Sequence, residues 1–119
     1  MAKILVIEDD ADVRTLLKIR LSNEGYETAF AWDAVTALTI ARKAEPDLII
    51  LDLGLPGGDG YVVMERLQSL APLSMVPIVV VSARSAETQT DPALAAGAAA
   101  FIEKPIDMER LLGVVRDAL

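Results

Sequence analysis

Asp47-Leu48-Ile49-Ile50-Leu51-Asp52-Leu53-Gly54-Leu55-Pro56-Gly57-Gly58-Asp59-Gly60 is the stretch whose reading decides the fold. It opens as an apolar run without polar alternation, the pattern of a strand buried on both faces of a parallel sheet. The run stops at a carboxylate, Asp52, and glycine and proline punctuation follows at once. Asp is common at the start of turns. A charge at the C-terminal end of a central strand also lies where open α/β sheets bind their ligands. The remainder of the chain decides between these readings.

Working outward, the pattern repeats. Lys3 to Ile7 reads as a short buried strand that runs into Glu8, Asp9 and Asp10. From Asp12 to Asn23, Val13, Leu16, Leu17 and Leu21 recur at helical spacing, and Gly25 is placed to stop that helix. Tyr26 to Ala31 alternates as an edge strand does. Asp33 is placed to cap a helix reaching about Ala44, before Pro46. Beyond Gly60 a helix carries Tyr61, Val62, Met64, Leu67 and Leu70, with Met64, Leu67 and Leu70 as core; Pro72 and Pro77 bracket a loop. Ile78-Val79-Val80-Val81 is a second fully apolar strand and ends in Ser82-Ala83-Arg84. Ser85 to Thr90 is polar and poorly periodic, so the expectation is a helix begun late or a mobile segment from Ser85 to Thr90, with Asp91 as cap and Pro92 at the first helical position. That helix stops at Gly97. Ala98 to Ile102 reads as a strand ending in Glu103-Lys104-Pro105, and Asp107 caps a last helix with Leu111, Leu112, Val115 and Leu119 on its apolar face. Trp32 and Tyr61 read as packing residues, although an exposed Trp32 would suit a partner surface.

Five strand-then-helix units with short connections force a parallel sheet, and right-handed crossovers place helices on both faces. The expected fold is a doubly wound α/β domain. Its 119 residues suffice for one domain with a real core. The chain is 53% hydrophobic and 24% charged, a globular composition, and its net charge of −7 opposes nucleic-acid binding. It has no Cys and no His, so thiolate chemistry, imidazole bases and imidazole metal ligation are excluded. A metal would need oxygen ligands and hence be a hard cation. The lack of Cys is compatible with the cytoplasm. The N-terminal apolar run meets acid too early for a signal peptide, and no stretch is long enough for a membrane span.

In a parallel sheet the strand ends share one edge, so Glu8, Asp9, Asp52, Ser82 and Lys104 are expected to converge. Each has an ordinary use as a cap, a turn residue or a solvated end. Together they make a carboxylate cluster that should take up a proton or recruit a cation, with Mg²⁺ the best match. Asp9 and Asp52 would ligate it directly, Glu8 through a water, and the Gly54 carbonyl would complete the set. A carboxylate so placed can attack a phosphoryl group, with Lys104 and the Ser82 hydroxyl binding its oxygens.

With these residues the chain resembles the receiver domain of bacterial two-component response regulators. The resemblance runs through Ile4-Leu5-Val6-Ile7-Glu8-Asp9, the Leu51 to Gly60 stretch, Val80-Val81-Ser82-Ala83-Arg84, Ala96-Gly97-Ala98 and Phe101-Ile102-Glu103-Lys104-Pro105, in family order. It implies one receiver domain over residues 1–119, flavodoxin-like, with strand order 2-1-3-4-5. It implies that Asp52 accepts a phosphoryl group from a histidine kinase or phosphotransfer protein, with Mg²⁺ held by Glu8, Asp9, Asp52 and the Gly54 carbonyl. Ser82 and Phe101 would form the switch, Lys104 would contact phosphate, and the Lys104–Pro105 peptide would be cis. A downstream output domain or target protein would read the switched surface. The protein would work in the cytoplasm and would not be a standalone enzyme.

Departures from the family pattern are equally legible. Pro92 falls in what is normally a longer helix. Ala98-Ala99-Ala100 lacks the acidic residues used by one dimerising subfamily, so that dimer is not expected. Gly54 and Arg84 stand where water access is tuned. An aspartate-nucleophile phosphohydrolase would need a second carboxylate two residues beyond Asp52, where Gly54 stands. A flavin carrier would need a phosphate cradle where Glu8, Asp9 and Asp10 are. The remaining rival is a receiver-like interaction module that works without phosphorylation.

Overall fold

The computed structural model describes residues 1–119. Its elements are β1 (Lys3–Ile7), α1 (Ala11–Asn23), β2 (Glu27–Ala31), α2 (Ala34–Ala44), β3 (Leu48–Asp52), α3 (Gly60–Gln68), β4 (Ile78–Ser82), α4 (Ala86–Ala95), β5 (Ala100–Glu103) and α5 (Met108–Ala118). All pairings are parallel, in the order β2-β1-β3-β4-β5. The doubly wound sheet expected from the sequence is the one observed.

The apolar runs form strands because each residue has a core to enter. Successive side chains of a strand point to opposite faces. In β3, Ile49 and Leu51 enter one core with Met64 and Leu67 of α3 and Ala37 and Ala41 of α2. Leu48 and Ile50 enter the other with Leu17 and Leu21 of α1 and Leu111, Leu112 and Val115 of α5. Helices α2, α3 and α4 therefore cover one face, and α1 and α5 the other. Burial of each large aliphatic side chain contributes about 1.5–3 kcal/mol, and here both faces of the central strands collect it.

Several caps fall where expected: Asp33 Oδ1 accepts the Thr36 N–H, and Asp107 Oδ1 that of Arg110. The first helix begins one residue earlier than its periodicity suggests, because Asp10 caps it through the Asp12 and Val13 amides. Apolar spacing overstated burial in two places, and Trp32 takes the exposed alternative. Leu16 and Leu119 are each 46% exposed and Trp32 is 49% exposed. Leu16 sits one position away from Leu17, which takes the inward direction.

The fourth helix differs most from expectation. It starts at Ala86, with Ser85 as its cap, and Pro92 lies inside it; Asp91 caps nothing. An interior proline removes one helical hydrogen bond and crowds the preceding turn, at about 3 kcal/mol. The helix persists because it is tied from outside. Glu103 of β5 accepts the Ala86 N–H at 2.6 Å, and the Tyr61 hydroxyl of α3 donates to Gln89 at 2.9 Å. Ala93 is fully buried beneath it. Two X–Pro peptides are cis, Ala71–Pro72 and Lys104–Pro105.

Candidate functional site

The C-terminal ends of β1, β3, β4 and β5 carry the polar groups singled out in the sequence, and the parallel registers bring them to one edge. Asp52 lies opposite Val81, and Ser82 opposite Glu103, the neighbour of Lys104. Gly60 allows α3 to start close behind β3: a Cβ there would come 2.5 Å from the Leu53 Cα, so only glycine fits.

Glu8 and Asp52 are buried, at 0% and 5% exposure, whereas Asp9 is exposed. Lys104 joins the two buried acids. Its Nζ donates to Glu8 Oε1 at 2.6 Å and to Asp52 Oδ2 at 3.0 Å. The other Asp52 oxygen accepts the Gly54 N–H at 2.9 Å, and the other Glu8 oxygen accepts the Asp10 N–H at 3.1 Å. No buried side-chain polar atom is left unpartnered.

The charges divide unevenly between the two acids. Burial pushes the Glu8 carboxyl up from 4.5 to about 7, with Asp52 adding to the rise and Lys104 opposing it. Burial also raises Asp52, but the Gly54 N–H, the Glu8 carboxyl and Lys104 together outweigh it and hold Asp52 below its ordinary value. Lys104 is raised in spite of burial by its two carboxylate partners. The resting site thus has an ionised Asp52, a cationic Lys104 and a Glu8 poised to lose its proton near neutrality.

One carboxylate oxygen from each of Glu8, Asp9 and Asp52 lies within 4.8 Å of the others. Oxygen donors of this type, two of them on buried carboxyl groups, suit a hard divalent cation. The donor set therefore fits Mg²⁺.

Ser82 is 2% exposed, and its Oγ accepts the Arg84 N–H at 3.0 Å; the hydroxyl makes no hydrogen bond to the Asp52 or Lys104 side chain. The Ser82 carbonyl accepts the Lys104 N–H at 2.7 Å, so β4 holds the backbone from which Lys104 reaches the acids. Phe101 is buried in the core that includes Ala93 of α4. Gly54 enters the site through its N–H.

Sequence reasoning missed Arg14, whose Nη1 donates to the Glu8 and Asp9 carbonyls at 2.8 and 2.9 Å. The available signal was position: a side chain in the first turn of a helix leans back over the residues preceding it. It also missed Glu103 as a tie to α4, which no local pattern announces.

Residues 4–116 match the family described as the response regulator receiver domain. The KDP operon transcriptional regulatory protein KdpE of Escherichia coli is 40% identical over 119 residues, covering 100% of this chain and 52% of KdpE. Response regulator PleD of Caulobacter vibrioides is 39% identical over 116 residues, covering 97% of this chain and 25% of PleD. The chain thus spans about half of KdpE and about a quarter of PleD. Among solved structures, the chemotaxis response regulator CheY4 of Vibrio cholerae superposes with a TM-score of 0.91 at 28% identity, covering 100% of this chain and 99% of that one. A putative response regulator from Chloroflexus aurantiacus gives 0.91 at 29% identity, covering 98% and 96%.

Proposed function

Because the chain belongs to the response regulator receiver family, we propose that residues 1–119 form one receiver domain in which Asp52 accepts a phosphoryl group. The observation that supports this most is the convergence of Glu8, Asp9 and Asp52 at one edge, with Lys104 bridging the two buried acids.

In this reading an ionised Asp52 oxygen attacks the phosphorus carried by a histidine kinase or phosphotransfer protein. The P–N bond to the donor imidazole breaks, and the imidazole leaves with the bonding pair. Glu8, Asp9, Asp52 and the Gly54 carbonyl would hold Mg²⁺, which when bound supplies positive charge against the phosphoryl oxygens. Lys104, already beside Asp52, supplies a second cation to those oxygens. The Ser82 hydroxyl exchanges its bond to the Arg84 amide for one to the phosphoryl group. Phe101 then repacks against α4, shifting the population of surfaces that a partner reads. The partners are the phosphodonor and an output domain or target protein. Nucleic acid is not contacted by this chain, and the role is regulatory rather than that of a standalone enzyme. No helix is long and apolar enough to cross a membrane; the family reading puts the domain in the cytoplasm.

The test is the intact mass after incubation with acetyl phosphate or phosphoramidate and Mg²⁺. One added phosphoryl group is expected, absent in Asp52→Ala and without the metal. No adduct, together with failure to bind beryllofluoride, would favour the interaction module that works without phosphorylation.

A further inference from the structure

We propose that Arg14 is a positioning residue of the acidic site, holding the Glu8–Asp10 turn so that Asp9 is presented to a divalent cation. The proposal rests on the receiver reading above, and its test keeps the two separable.

Asp9 is the weakly held member of the carboxylate set. Glu8 is tied at every polar group: its N–H donates to the Ala31 carbonyl at 2.9 Å, and its carboxyl oxygens meet Lys104 and the Asp10 amide. Asp52 is tied by Gly54 and Lys104. Asp9 is exposed and its carboxylate accepts no hydrogen bond; the bond from Arg14 to its carbonyl is the one hydrogen bond it makes. The backbone on either side is also Arg14's, because the same nitrogen donates to the Glu8 carbonyl. A terminal guanidinium nitrogen carries two hydrogens, so both bonds form at once and two consecutive carbonyls are clamped from one point.

Arg14 has no competing role in view. No carboxylate lies within ion-pair distance of it. It lines a shallow groove with Lys18, Phe30 and Trp32, and its guanidinium is bonded to the acidic turn. Lys18, one turn further along α1, lines the same groove and has no hydrogen bond to the turn. It is therefore a matched control for charge alone. Removing Arg14 leaves the turn to be ordered when the cation binds, and partners outside the ligand shell typically change metal affinity about 10–100-fold.

Mg²⁺ affinity measured by isothermal titration on the full chain tests this. Arg14→Gln is expected to weaken Mg²⁺ about tenfold, and Lys18→Gln to change it less than about twofold. The shortfall of the Gln variant in uptake from a small phosphodonor should close as Mg²⁺ is raised. In metal-free protein, amide exchange should quicken at Asp10 while Glu8, held by Ala31, stays slow. Arg14→Lys keeps the charge without the planar fork, and is expected to weaken Mg²⁺ about threefold; it decides the matter if the Gln variant does not fold. Equal affinity in the Arg14 variants, an equal loss in Lys18→Gln, or a shortfall that persists at saturating Mg²⁺ would each overturn the clamp. If the unsubstituted protein takes up no Mg²⁺, the receiver reading fails and carries the clamp with it; the loss of the clamp alone leaves that reading standing.

Discussion

The acid-bearing ends of β1 and β3 lie at the sheet edge where the helix α4 begins, yet acids and helix are held by opposite means. Glu8 follows β1 and Asp52 ends β3, strands whose residues from Ile4 to Ile7 and from Leu48 to Asp52 are buried, and each carboxylate oxygen has its own donor. Helix α4 buries one residue, Ala93, contains a proline, and depends on Ser85, Glu103 and Gln89 for its polar ties. Groups that must hold a geometry rest on the core. Helix α4, the responder in the proposed function, rests on a few exchangeable hydrogen bonds, and elements held in that way sit at the low-stability end of a fold.

The largest expected effect comes from removing the cation at the rigid end. Lys104→Met leaves Glu8 and Asp52 buried without their partner, and should lower unfolding stability at pH 7 by about 2–4 kcal/mol in urea titration. A loss below about 1 kcal/mol would mean that the two acids are held by their backbone donors alone.

The pH dependence sharpens the same half of the contrast. Glu8 is raised in the folded state from 4.5 to about 7, so folding favours its protonated form. That contribution is complete below about pH 4.5 and is lost as pH rises through about 7. Metal-free protein should therefore lose roughly 1–3 kcal/mol across this window. Asp52, lowered instead, contributes above its ordinary value and loses that contribution only at more acid pH. Thermal melts should show the decline in unsubstituted protein, its absence in Glu8→Gln, and its reversal by added Mg²⁺.

At the loose end the effect is smaller and opposite in sign. Pro92→Ala restores the helix's missing donor and should stabilise by about 1 kcal/mol, with slower amide exchange across α4. A destabilised variant would show that the proline conformation is used by the packing over Ala93.

These two regions were also unequally legible. The site could be read because an apolar run that ends in a carboxylate is a local signal, and parallel topology supplies the convergence without further information. Glu8, Asp9, Asp52 and Lys104 come together as topology requires. Helix α4 could not be read in that way. Its apolar residues are few, so Pro92 dominated the pattern and suggested a helix starting at Pro92, capped by Asp91. What extends the helix back to Ala86 is a tie from Glu103, which is distant in sequence. The exposure of Leu16 and Leu119 escaped for a related reason: spacing along one element does not say which neighbour will cover it. Arg14 escaped because a basic residue early in a helix reads as solvated until the carbonyls it meets are visible.

Amide hydrogen exchange with and without beryllofluoride and Mg²⁺ tests the central contrast most directly. The change is expected to concentrate in residues 83–96 while β1 and β3 keep their protection. An unchanged α4, or an equal change in β1 and β3, would contradict the division between a rigid site and a loosely tied responder.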